Sequence, residues 1–371
     1  MNVRIDHVSP SESVQEGVFV AMPLCFPTQS IPPPAGETAI QVLLHSADGR
    51  TTWLGTAGGK AHVMAAAIHG STGVVRDAGT IPDATSIAGL MQDVEAQADA
   101  PNVYAVANGA AGSSLWKVEA RMLTFLIQEW GWMRPLKPQK VFDLFAGVAV
   151  AHAVACGDGK TMAGLADDGR VFTVDAAAGN VQVIGQVAGP IAPFSRVVID
   201  PGGCLWGADA ASRLWTCDLN HGRVETTGLP MPVGDSAGPR AVTWAADESS
   251  GLLYGGVDPD ALLFRVDPRS PRVQTIGKVS RLEGLGCLAV SHDGRVFGTA
   301  GLEEDVGHLF CYDPKGQTLR NLGVATSVLN ARQYGYHFRS AATGAGGELY
   351  FGQYERVNHL WVYFPATPRR R

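Results

Sequence analysis

Three arginines and a histidine fall at one recurring place. His152 lies seven residues before Gly159, Arg196 seven before Gly203, and Arg339 seven before Gly346. Arg240 opens a similar segment whose glycine turn, residues 247–251, is longer. The corresponding positions elsewhere hold Val42 and Cys287. Gathered around one opening, like charges repel each other and lose solvation. A guanidinium binds carboxylate, sulfate or phosphate through two parallel hydrogen bonds, so an anion is the natural complement of such a ring. The competing reading pairs each arginine with a nearby acid such as Asp83, Asp235 or Glu283.

The last repeated segment carries the densest chemistry. Arg332, Tyr334, Tyr336 and His337 precede its first strand, and Tyr354, Glu355 and Arg356 follow its second. An arginine that neutralises a carboxylate makes the adjacent α-proton more acidic. A histidine or tyrosine can remove that proton, and a second group can protonate the leaving oxygen. This is the logic of β-elimination from a uronate. The expected catalytic set is His152, His337, Tyr336 and Tyr334. The expected substrate contacts are Arg196, Arg240, Arg339, Arg356 and Tyr354. Loop packing is the alternative for the two catalytic tyrosines, and a place on a buried strand is the alternative for His337.

Positioning these groups falls to short strands. Residues 333–365 contain three strand-like runs, divided by a glycine turn at 344–347 and a charged loop at 355–358. Glycine supplies the positive φ that tight reversals need, and aromatic and β-branched residues favour the pleated surface on either side. The same order recurs at 152–187, 196–229, 240–279 and 287–325, and in blurred form in two earlier units. The period is that of four-stranded propeller blades. The expected fold is therefore all-β, a seven-bladed β-propeller of four-stranded antiparallel blades. The last unit stops after three strands, so an N-terminal run at residues 17–22 is expected to complete it and close the ring. One domain is expected over 1–371, with a Pro-rich connector at 27–38 and an aromatic insert at about 125–145 in the second blade. A β-sandwich, or a ring of six or eight blades, is the competing architecture. The first strand of each blade lines the central channel, and concave sites are expected at its opening.

Composition narrows the function classes. The chain has 371 residues, 17% charged, with 45 glycines and a net charge of -6. That balance argues against a nucleic-acid partner, and the only basic run is residues 369–371. No apolar run approaches the length of a spanning helix, and residues 1–17 do not read as a secretion signal, so a cytoplasmic protein without membrane contact is expected. The six cysteines are scattered without a CxxC pair and read as reduced core residues. No metal motif, P-loop, GxSxG or dinucleotide fingerprint occurs, so neither metal nor cofactor is expected. His62, His308 and His359 each start a third strand and read as a hydrogen-bonded repeat feature.

The phrases DGRVFG, GHLFCYD, ELYFGQY and NHLWVYF resemble those of seven-bladed propeller proteins over nearly the whole chain. Within that class, the Arg/His/Tyr group is similar to the polysaccharide lyases that use this scaffold. The resemblance implies a carbohydrate-active lyase that cleaves a uronate-containing glycan or oligosaccharide at the channel opening, with an anionic saccharide as partner. The alternative is a non-catalytic propeller that binds a small anion or a partner protein. Fold alone licenses neither.

Overall fold

A computed structural model describes residues 4–6, 14, 16–25, 39–46, 49–69, 72–93, 102–119, 137–281, 283–301, 305–327, 333–354 and 359–366. Every regular element among them is a β-strand. The Pro-rich connector, Arg332, Arg356 and the aromatic residues 125–136 lie outside the described residues. Described residues contain no helix long and apolar enough to cross a membrane.

The strands form antiparallel meanders in chain order. The third unit is Val150–Ala155, Thr161–Ala166, Arg170–Asp175 and Asn180–Gln186, paired in that order. The fourth, fifth and sixth units repeat the pattern, beginning at Val198–Ile199, Ala241–Asp247 and Leu285–Val290. Local chemistry explains each unit. In the first hairpin an aspartate caps the turn: Asp200 accepts from the Gly202 and Cys204 amides at 2.8 and 3.0 Å. In the third unit's last hairpin, between its third and fourth strands, Asp175 does the same for Ala177 and Ala178 at 2.9 and 2.8 Å. A glycine in the second strand lets an aromatic ring of the third lie on its backbone. A Cβ on Gly255 would fall 2.1 Å from the Phe264 ring, and one on Gly207 2.3 Å from Trp215.

The expectation of separate four-stranded blades needs adjusting. Twelve strands form one continuous sheet, and another sheet has five strands. The large sheet consists of three meanders joined by brief contacts. One meander is Phe338–Thr343, Leu349–Gln353, His359–Pro365 and the N-terminal Gly17–Cys25, which pairs with His359–Pro365 from Gly17↔Pro365 to Pro23↔His359. The N-terminal strand outruns this partner, and Leu24 and Cys25 continue in parallel onto Val75 and Arg76 of Thr72–Ile81. Ala57 and Ser86 make the other bridge. The fifth strand of the smaller sheet is Arg4–Asp6, set parallel to Thr318–Val324. Unpaired edge groups drive such additions.

The second unit also differs in detail from its sequence reading. Its first strand is Ala84–Gln92, and Gln139–Ala146 is its outer strand, so the described end of the proposed insert belongs to the sheet.

Apolar cores lie between successive units. Ala163, Leu165 and Val171 of the third pack on Leu205, Trp215 and Cys217 of the fourth. At the chain ends, Val20, Met22, Leu360 and Val362 pack on Ile40, Leu54, Met64 and Val75 of the first unit. The first strand of every unit borders one central cavity of about 690 Å³. Cys156, Cys204, Cys217, Cys287 and Cys311 are free thiols. His62 meets Asp77 at 3.1 Å and His308 meets Asn321 at 3.2 Å, each joining a third strand to its outer neighbour.

Candidate functional site

The walls of the central cavity mix apolar residues, among them Val154, Ala245, Ala289, Val290 and Ala341, with polar ones such as Thr243, Ser291, Ser340 and Thr343. One end is cationic. There His152, Arg196 and Arg339 stand at the heads of their first strands, and all three border the cavity. Asp247, Glu248 and His292 lie toward the other end, where first strands turn into second ones.

Arg196 reaches away from its own unit. Its Nη2 donates to the Gln41 carbonyl at 2.7 Å, and its Nη1 lies 3.1 Å from His152 Nε2. No carboxylate pairs with it among the described residues. Burial, with the like charge of Arg339 adding to it, lowers its pKa to about 10, so it stays charged at neutral pH. A buried charge without an opposite partner is costly.

His152 is buried and doubly engaged. The Val197 amide donates to its Nδ1 at 3.2 Å while Arg196 donates toward Nε2. A neutral imidazole has a single lone-pair nitrogen, so it cannot accept from both. Burial first, and the Arg196 charge second, hold its pKa well below the ordinary histidine value. Neither nitrogen is left to act as a base toward the cavity.

Arg339 is held from three sides. Nη1 donates to Asp258 Oδ2 at 2.8 Å, both side chains being nearly buried. Its guanidinium carbon lies 4.3 Å from the centre of the Phe194 ring and 6.0 Å from that of Tyr354. Phe194 and Tyr354 meet edge to face at 5.4 Å. His337 lies against Tyr354, ring centres 5.8 Å apart, and its Nδ1 is buried with no hydrogen-bond partner among the described residues. Burial, then the charge of Arg339, lowers the His337 pKa to about 3. Gln41 Oε1, Ser195 Oγ and Arg339 Nε are likewise buried without partners.

The structure thus brings together His152, Arg196, Arg339, Tyr354 and His337. It places Arg240 elsewhere: Nε donates to Asp260 at 2.6 Å and Nη2 to the Ser236 and Gly234 carbonyls, and the side chain does not border the cavity. In the fifth unit Thr243 borders the cavity instead, three residues further along. Tyr334 sits in the two-residue strand Gln333–Tyr334, paired with Thr326–Ser327, and Tyr336 is half-buried; neither borders the cavity. Arg356 lies outside the described residues. Sequence reasoning missed Phe194, Asp258 and Gln41. An aromatic two residues before a flagged arginine was a usable signal for Phe194. The other two act across units, which no local pattern reports. Described residues hold no cluster of histidine, cysteine or carboxylate suited to a metal.

No known protein family model matches the chain, and no curated protein sequence matches it. Solved structures do. Streptogramin B lyase aligns with a TM-score of 0.64 at 12% identity, over 95% of this chain and 99% of that one. An extracellular domain from B. thetaiotaomicron aligns with a TM-score of 0.58 at 11% identity, over 94% of this chain and 40% of that one. At such identities the likeness speaks for architecture alone, and that architecture is the β-propeller.

Proposed function

We propose that this chain is a single closed ring of seven four-stranded blades whose central cavity binds a small organic anion. Support for the ring comes from the pairing of Gly17–Cys25 with His359–Pro365 and from apolar cores that join the last unit to the first. The observation that carries the function is Arg196: a half-buried guanidinium bordering a cavity, with no described carboxylate against it. A ligand carboxylate there would restore the missing counter-charge, and the mixed polar and apolar wall would take its body. Arg339, already neutralised by Asp258, positions rather than attracts.

Titration calorimetry at neutral pH tests this with D-glucuronate against neutral D-glucose. Only the acid is expected to bind, and Arg196→Gln is expected to weaken it about tenfold or more. Arg223→Gln, on an exposed outer strand, serves as control. Equal binding of acid and glucose, or undiminished binding by Arg196→Gln, refutes the reading.

A second reading adds chemistry. Arg339, Tyr354 and His337 converge, which is the set that β-elimination of a uronate requires. A histidine with a pKa of about 3 is a poor base until a bound carboxylate raises it. Tyr354, with Arg339 beside its ring, is the proton acceptor in this scheme, for a substrate that reaches past the cavity wall, since neither Tyr354 nor His337 borders the cavity. Ultraviolet absorbance of an unsaturated uronate product, followed over a panel of oligouronates, decides it. Silence across the panel leaves binding without catalysis.

A further inference from the structure

Phe194 is an anomaly in this fold. It is a bulky residue at φ 64°, in the left-handed region that favours glycine. Burial does not account for it, because the side chain is 44% exposed. Two residues before Arg196, its ring stands edge-on to Tyr354 and against Arg339, a residue that borders the cavity, though Phe194 itself does not. Backbone outliers of this kind persist where the surroundings fix them, and they concentrate at ligand clamps.

We propose that Phe194 is the specificity-determining platform of the site and takes the flat face of a carboxylate carried on a ring. The proposal rests on the anion-binding reading above and narrows it. A ring whose carboxylate meets Arg196 would extend outward past residue 196 toward Phe194. There it finds one exposed aromatic face, flanked by the Tyr354 ring. Both pyranoses and arenes present such a face; an open chain does not.

Titration calorimetry with two matched pairs separates these sources: D-glucuronate against D-gluconate, and benzoate against hexanoate. Each is run on wild type, Phe194→Gly and Phe194→Trp. The wild type is expected to favour the ring member of at least one pair by about tenfold. Phe194→Gly is expected to bring that ratio near one, and Phe194→Trp to restore it. The pair that shows the preference identifies pyranose or arene. Glycine suits the local backbone, so the Phe194→Gly midpoint of thermal unfolding is expected to equal or exceed that of wild type. A wild-type ratio near one with both members bound, or a ratio unchanged in Phe194→Gly, overturns the platform. Absence of binding by all four carboxylates is a different result: it removes the anion reading itself, and the platform with it.

Discussion

Arg196 sets stability against use. Its charge sits among the His152 ring, the Gln41 carbonyl and the Arg339 guanidinium, with no described acid to offset it. Replacing a buried ionic group by an apolar one of similar volume often stabilises. Arg196→Met is therefore expected to raise the free protein's unfolding free energy in urea by roughly 1 kcal/mol, after the loss of the Gln41 bond. The same variant is expected to lose all protection by added carboxylates. A less stable variant would mean that the two hydrogen bonds outweigh the desolvated charge. His337 makes a prediction of definite sign. Burial, then Arg339, holds its folded pKa at about 3, whereas an unfolded histidine titrates near 6.5. Between those values the unfolded chain binds a proton that the fold refuses. Its contribution to stability is complete above about pH 6.5 and is lost as pH falls toward 3, by up to about 1.4 kcal/mol per pH unit. His152 acts in the same direction. His337→Gln is expected to flatten, without abolishing, the slope of stability against pH between about 6.5 and 4.5. An unchanged slope would show that the imidazole is solvated.

At the scale of elements, the N-terminal strand does the work of a blade's missing edge. Phe19 is 3% exposed and meets Phe351, Trp361 and Tyr363 with ring centres 6.0, 5.7 and 5.0 Å apart. Phe19→Ala is expected to cost about 3–5 kcal/mol in equilibrium denaturation, as for any core aromatic. A loss below about 1 kcal/mol would mean that this strand is a loose appendage. The strands of residues 333–365 were legible from their turns and aromatic runs, because both are local signals. Counting back from a glycine found His152, Arg196 and Arg339, each seven residues before it. It failed at Arg240, which lies eleven residues before Gly251 and just outside the longer first strand Ala241–Asp247, and Thr243 takes the place on the cavity. Asp260 and the Gly234 and Ser236 backbone then claim Arg240. The second unit was harder still, because Gln139–Ala146 lies 20 residues beyond the end of its partner Gly112–Glu119.

Across the whole molecule, repetition could be read and convergence could not. Repeated segments announce the sheets of a propeller, but nothing in one segment says that Arg339 meets Asp258 and Phe194. Those contacts join residues 81 and 145 positions apart, and only the folded arrangement of the units creates them. The join between the chain ends has a further consequence. Gly17 faces Pro365 while Pro23 faces His359, so the two outward-going chains leave from the same end of the ladder. A pulling force on those chains would break its hydrogen bonds one after another, as a zipper opens, instead of loading them all in shear. The Tyr363 hydroxyl bond to the Glu16 carbonyl and the Arg320–Glu16 ion pair sit where that rupture would start. Tension applied directly at residues 16 and 366 would therefore open this seam by peeling from residue 17 inward.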